Sequence, residues 1–199
     1  MRVLILSPYG DLIEDIVRAS GCEPIIRPGD LEVSDWPECD WVVSFGYRKI
    51  IQKRMIEQFK GKIINIHCSL LPWNRGADPN FWSWFDDTPR GVTIHRIDEG
   101  IDTGEILNQE VVFDSRFRGA MTLRTTYEDL QVTAVGLFSR TWPFLINKNW
   151  EPKQIAAYKE IGTYHRTGDT DKYWRYLPLN WESPVSEVKN LGSLFRGSK

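Results

Sequence analysis

Short apolar runs alternating with stretches of helical period constrain this chain more than any other feature. Arg2-Val-Leu-Ile-Leu-Ser7 is continuously apolar, the mark of a strand buried on both faces. Gly10-Asp11 interrupts it, and Asp11 is placed to cap a helix from Leu12 to about Ser20. Leu12, Ile13, Ile16 and Val17 form the stripe of that helix, and Gly21 closes it. Pro24-Ile-Ile-Arg27 is a second strand, Pro28-Gly29-Asp30 a polar connection and Trp41-Val-Val-Ser-Phe45 a third strand. Lys53 to Phe59 then reads as a helix with Met55, Ile56 and Phe59 inward. Gly61 releases the chain into a strand over Lys62 to His67. This order predicts an α/β fold: a Rossmann-like, open, mainly parallel sheet with helices on both faces. Ligands of such sheets collect at the carboxyl ends of the strands, where Gly46-Tyr47-Arg48-Lys49 and the pair Asn65 and His67 would lie. The first turn, Ser7-Pro8-Tyr9-Gly10, has a single glycine and so no dinucleotide fingerprint.

Further on, Ala77 to Asp86 reads as a helix carrying Phe81, Trp82, Trp84 and Phe85, more aromatic surface than one stripe needs. Gly91-Val-Thr-Ile-His-Arg-Ile97 alternates like a strand, and Glu105 to Phe113 is another; Asp114 to Ala120 is a polar, basic connection. Thr122 to Asn147 is the longest helical stretch. Its core stripe is Leu123, Tyr127, Leu130, Ala134, Leu137, Phe138 and Leu145, and Pro143 is expected to kink or end it. From Trp150 the pattern loosens, so residues 1–150 are expected as the main domain and 151–199 as a short C-terminal extension packed on it. Residues 192–199 are expected to fray.

A chain of 199 residues is long enough for one domain with a real core. Its formal net charge of −2 offers no broad basic field for a nucleic acid, whose grip rests on many Lys and Arg contacts to phosphate. The three cysteines, Cys22, Cys39 and Cys68, have no metal-ligand spacing. No leader precedes the chain and no apolar run approaches membrane-spanning length, so a cytoplasmic protein is expected, without a membrane partner. Cys68 adjoins His67, but neighbours on a strand face opposite ways, which makes Cys68 a buried filler.

Asn65 and His67 lie two apart on a strand and so share a face. An amide donor beside an imidazole suits stabilisation of the oxyanion formed when a carbonyl is attacked. A carboxylate from a separate turn, Asp102, would orient that imidazole and manage its proton. His95 is expected to be a strand histidine held by hydrogen bonds. A calcium loop starting at Asp98 fails, since its third position would be Gly100 and its twelfth Gln109.

Asn65-Ile-His-Cys-Ser-Leu-Leu-Pro72, then Arg75-Gly76, then Asp98-Glu-Gly-Ile-Asp-Thr-Gly104 resembles the folate-dependent formyltransferases, most closely the small sugar N-formyltransferases. The resemblance covers roughly residues 1–147. It implies transfer of a formyl group from the cosubstrate 10-formyltetrahydrofolate to an amine, with Asn65, His67 and Asp102 catalytic and no metal. It also implies that Tyr47, Arg48, Lys49 and Ile50, with Ile97, Asp98, Glu99, Gly100 and Ile101, form the pterin pocket. For the acceptor the family offers a nucleotide-linked amino sugar, methionyl-tRNA or glycinamide ribonucleotide; a 10-formyltetrahydrofolate hydrolase and a binding module without catalysis are rivals. The amino sugar is favoured here. The chain stops too soon for the C-terminal barrel of the methionyl-tRNA enzymes, and the glycine-rich phosphate loop of the glycinamide ribonucleotide enzymes is missing near Gly10. Tyr9, Arg75, Trp82 and Trp84 are the acceptor-side candidates, and residues after 150 are expected to cover that side or to form a homodimer contact.

Overall fold

The apolar runs form the parallel part of a six-stranded sheet. The structure is a computed structural model that describes residues 1–29, 36–114, 121–147 and 162–197. Asp30, most of the expected connection over 115–120, the boundary at 150–151 and the last two residues lie outside the described ones. In chain order the elements are β1 (Arg2–Leu6), α1 (Asp11–Ala19), β2 (Glu23–Arg27), β3 (Trp41–Phe45), α2 (Lys53–Gln58), β4 (Ile63–His67), β5 (Arg75–Gly76), α3 (Pro79–Phe85), β6 (Gly91–Arg96), β7 (Ile106–Val111), α4 (Leu123–Ile146), β8 (Tyr164–His165), α5 (Asp171–Trp174) and α6 (Val185–Arg196). The sheet order is β2-β1-β3-β4-β6-β7, with β2, β1, β3 and β4 parallel and β6 antiparallel to β4. Arg96 N bonds to Glu105 O and Val112 N to Arg90 O, so β7 returns antiparallel to β6.

Strand order reverses between β1 and β3, and right-handed crossovers then send α1 and α2 to opposite faces. Burial agrees: Val3, Leu4, Ile5 and Leu6 are all fully inaccessible, which needs cover on both sides of β1. On one side Leu4, Leu6, Val42 and Ile63 meet Met55 and Phe59 of the α2 segment. On the other, Trp142 of α4 lies edge-on to Trp41 at 5.4 Å and donates from Nε1 to Ser20 Oγ at 2.9 Å.

Two compact units are distinguished: Met1–His67, Thr93–Asn108 and Ala134–Ile155 in the first, and Cys68–Val92, Gln109–Thr133 and Ala156–Lys199 in the second. The second packs α3 against α6 around Phe81, Trp82, Phe85, Tyr173 and Phe195, with Phe85 and Tyr173 rings 4.4 Å apart. Its β5 and β8 form a two-stranded parallel ribbon.

Several local expectations change. The end expected to fray from 192 is helical to Arg196, because α6 buries Leu191 and Gly192 and Arg196 bonds the Phe85 carbonyl. Asp11 is the first helical residue rather than the cap. Gly10 takes the cap position, Tyr9 and Gly10 carbonyls accept the opening turn, and no side chain caps it. The Asp11 and Glu14 carboxylates instead complement the dipole of the first turn. Pro143 does not end α4, because its missing donor is on the exposed side while Trp142 and Leu145 bury the last turn. Helix α3 starts at Pro79, not Ala77: Asp78 adopts φ 51°, and Pro79 fits the first turn, where its missing N–H has no partner to lose.

Candidate active site

The register of the sheet builds the site. Leu6 pairs with Ser44, Ser44 with Asn65, and Asn65 with His95, so one lateral row crosses four strands on the face that α2 covers. His67, two residues on, shares that face and pairs with Thr93. The row turns from apolar to polar after Leu6, at Ser44 of β3, near the carboxyl end of the parallel strands.

Asp102 enters from the loop after β6 and meets all three polar side chains. Its Oδ1 accepts from Asn65 Nδ2 at 3.3 Å and lies 3.4 Å from His95 Nε2; its Oδ2 lies 3.6 Å from His67 Nε2. The last distance is too long for a hydrogen bond. Side-chain exposure is 8% for His67, 2% for His95 and 13% for Asp102, so the group sits at low dielectric. His95 Nδ1 is 2.7 Å from the Arg96 carbonyl, which only accepts, so in the neutral ring Nδ1 carries the proton. Nε2 then accepts from Asn65 Nδ2, 3.2 Å away.

The loop that delivers Asp102 is cross-braced. Asp98 Oδ1 accepts from Gly100 N at 3.0 Å and Thr103 Oγ1 at 2.6 Å. Asp102 has φ 51°, a left-handed conformation that Asp tolerates better than most residues. A Cβ at Gly104 would lie 1.9 Å from the Arg96 carbonyl oxygen, so the loop closes on the end of β6 only with glycine there.

The two expected pocket segments approach each other in the same unit. Tyr47 and Ile97 pack on the cluster of Leu4, Leu6, Val42, Met55, Phe59 and Ile63, and Lys53 Nζ meets Glu99 Oε1 at 2.9 Å. Arg48, Lys49, Glu99 and Gly100 are exposed, and so are the apolar side chains of Ile50 at 81% and Ile101 at 38%. Tyr9 is half-buried, its ring 5.8 Å from that of Phe45. Arg75, Trp82 and Trp84 belong to the second unit. Trp82 and Trp84 are buried, and each has a ring face occupied: His165 stacks on Trp82 at 3.8 Å and the Arg90 guanidinium covers Trp84 at 3.9 Å. Cys68 is buried, and desolvation pushes its thiol up to about 12.

Sequence reasoning passed over His95 as a member of the site. Its signal was faint: Thr93 and His95 are alternate polar positions in a strand whose other face, Val92 and Ile94, is fully buried. Only the antiparallel register sets His95 opposite Asn65.

The sequence pattern of the family described as formyl transferase matches residues 32–132. Methionyl-tRNA formyltransferase of Finegoldia magna is 31% identical over 102 residues, covering 51% of this chain and 32% of that protein. The chain spans less than half the length of the first curated relatives, from 25% to 46%. Among solved structures, the formyltransferase PseJ from Anoxybacillus kamchatkensis, in complex with UDP-4,6-dideoxy-4-formamido-L-AltNAc and tetrahydrofolate, is 36% identical with a TM-score of 0.86, covering 96% of this chain and all of that one (100%). A sugar N-formyltransferase from Shewanella shares the fold, with a TM-score of 0.68 at 24% identity over 86% of this chain and 79% of that one.

Proposed function

The chain belongs to the formyl transferase family, and from that premise we propose that it moves a formyl group from 10-formyltetrahydrofolate to the amino group of a nucleotide-linked amino sugar. The observation that carries this reading is the end-to-end likeness to PseJ, whose complex holds a UDP-linked formamido sugar and tetrahydrofolate. The folate supplies the formyl group. Exposed Ile50, and Ile101 within the braced loop of Asp98–Gly104, offer the apolar cover a pterin needs, and Tyr47–Ile50 with Ile97–Ile101 are assigned to hold it.

Asn65 and His67 act on the formyl oxygen. As the acceptor nitrogen bonds to the formyl carbon, that oxygen gains negative charge; His67 Nε2 donates to it, and so does Asn65 Nδ2 with the N–H it releases from Asp102 Oδ1. Asp102, between His67 and His95, holds His67 in place and takes the proton from the attacking amine. The C–N bond to the folate then breaks, and its nitrogen leaves with a proton. One N–C bond forms, one breaks, and no oxidation occurs. His95 is a positioning residue that fixes the Asn65 amide. Three unpaired cysteines suit a reducing compartment, and we place the reaction in the cytoplasm.

A second reading takes its acceptor from the curated relatives, several of which are methionyl-tRNA formyltransferases. Incubation with 10-formyltetrahydrofolate and a panel of UDP- and dTDP-linked amino sugars, glycinamide ribonucleotide and methionyl-tRNA, read by mass spectrometry, separates the two. A nucleotide sugar heavier by one formyl group supports the proposal. Formylated methionyl-tRNA alone, or folate consumed with no formylated amine, sinks it.

A further inference from the structure

An acceptor carried on a nucleotide diphosphate brings a run of anionic oxygens, and the second unit holds a cationic fork with no acceptor among the described residues. Arg75 keeps part of its surface exposed, yet its Nε is buried and donates to nothing among the described residues. No hydrogen bond or ion pair of its guanidinium to a described residue is present. Three other arginines of that unit have acceptors: Arg90 bonds Asp114 Oδ1 at 2.7 Å and Ser83 O at 2.9 Å, Arg124 pairs with Glu182, and Arg196 donates to the Phe85 carbonyl. Buried donors are nearly always paired in folded proteins, and a charged one left unpaired is the costliest exception.

The backbone beneath Arg75 is fixed. Fully buried Asn74 donates from its backbone N to Thr163 Oγ1 at 2.7 Å and from Nδ2 to Thr88 Oγ1 at 2.8 Å, and Thr163 Oγ1 donates back to Asn74 Oδ1 at 3.0 Å. Arg75 N bonds Thr163 O and Ala77 N bonds His165 O, each at 3.0 Å. A Cβ on Gly76 would lie 2.1 Å from the His165 carbonyl oxygen, so the ribbon closes this tightly only with glycine. Gly76 pairs with His165, whose ring lies flat on Trp82, with Nε2 3.1 Å from Asp86 Oδ2 but not aligned for a hydrogen bond. Arg75 pairs with Tyr164, whose ring is 45% exposed and reaches to 3.0 Å from where a Cβ on Gly76 would stand. A guanidinium beside an exposed aromatic ring is a donor set for phosphate oxygens next to a planar or sugar group.

Resting on the acceptor reading above, we infer that Arg75 binds the diphosphate of the nucleotide-linked acceptor, with Tyr164 packing on the adjoining ring. Two measurements on the full chain test this: steady-state formyl transfer to a UDP-linked 4-amino-4,6-dideoxy sugar, and calorimetric binding of UDP and UMP. Arg75→Ala raises the acceptor KM and the UDP Kd by about tenfold or more and narrows the preference for UDP over UMP. It leaves kcat and the KM for 10-formyltetrahydrofolate unchanged. Arg75→Lys recovers part of the loss, because it keeps the charge without the fork. Arg75→Gln replaces the alanine variant if thermal melting shows the latter to be unfolded. An unchanged UDP Kd in a folded variant overturns the inference, as does an equal rise in the folate KM. A wild type that formylates the sugar while Arg75→Ala behaves identically sinks the inference alone. A wild type that binds UDP through Arg75 yet formylates no nucleotide sugar sinks the acceptor reading alone.

Discussion

Asp102 is the residue on which the proposed chemistry turns, because its carboxylate lies near Asn65, His67 and His95 at once. Asp102→Asn keeps the shape and suits the left-handed backbone at φ 51°, so folding and ligand binding should survive. Turnover should fall by roughly 10²- to 10⁴-fold, as for loss of a general acid–base group. Steady-state rates beside thermal melts check this, and an unaltered rate in a folded variant removes Asp102 from the mechanism. Asp98 then does not replace it easily, because its Oδ1 is already engaged by Gly100 and Thr103. Cys68 gives a second prediction. Burial raises its thiol to about 12, so the thiolate is scarce at any pH below that value, however close His67 stands in sequence. Native protein at pH 8 should react with iodoacetamide at Cys68 only slowly, and denatured protein quickly; equal rates would contradict the burial. The pair Asn65 and His67 was legible because a strand fixes faces at a spacing of two. His95 was not, since nothing local tells which residue of another strand lies opposite Asn65.

Elements were legible where their burial is local. The apolar run of β1 announces itself, as do Ile13 and Val17 of α1 and the inward positions Met55 and Phe59, whereas Leu12, expected in the same stripe, is exposed. The ribbon of β5 and β8 did not, because two-residue strands joined across about ninety positions carry no periodicity. Pro143 misled for a related reason: tertiary burial of Trp142 and Leu145 outweighs one lost backbone bond. Trp142→Ala should therefore cost about 3–5 kcal/mol in denaturant unfolding, since the ring is fully buried against Trp41 and Phe138; a loss below about 1 kcal/mol would contradict that packing. Helix α6 also carries an ion pair at the surface. Lys189 Nζ bonds Asp87 Oδ1 at 2.9 Å and holds the Asp87 carboxyl below its usual range. A depressed carboxyl stabilises the fold above its unfolded pKa of ~3.9 and loses that contribution as pH falls through the folded value. Asp87 is largely exposed, so screening limits the effect to about 0–1 kcal/mol. Asp87→Asn should be slightly less stable than wild type at pH 7, with the difference closing in acid; a gap that widens below pH ~3 would reverse the sign.

For the molecule as a whole, the order of strands and helices was enough to predict a mainly parallel sheet, and the two motifs led to its polar edge. The return of β6 and β7 as an antiparallel pair was beyond that reading, yet it completes the site by bringing His95 to Asn65 and opening the loop that carries Asp102. Helices on both faces leave the carboxyl ends of β3 and β4 as the place where ligands meet the sheet. The braced loop and the residues of the lateral row bring an amide and two imidazoles to within 3.6 Å of one carboxylate. The central claim is that this group transfers a formyl unit to a sugar amine. The most direct test is the rate of formyl transfer from 10-formyltetrahydrofolate to a UDP-linked 4-amino-4,6-dideoxy sugar, for wild type, Asn65→Ala, Asp102→Asn and the double variant. The account predicts a formylated sugar from wild type, a drop of roughly 10²-fold or more in each single variant, and a double variant little worse than the weaker single, since the residues act as one unit. Formylation at the wild-type rate by the folded double variant, or no formylated sugar from the wild type, would contradict it.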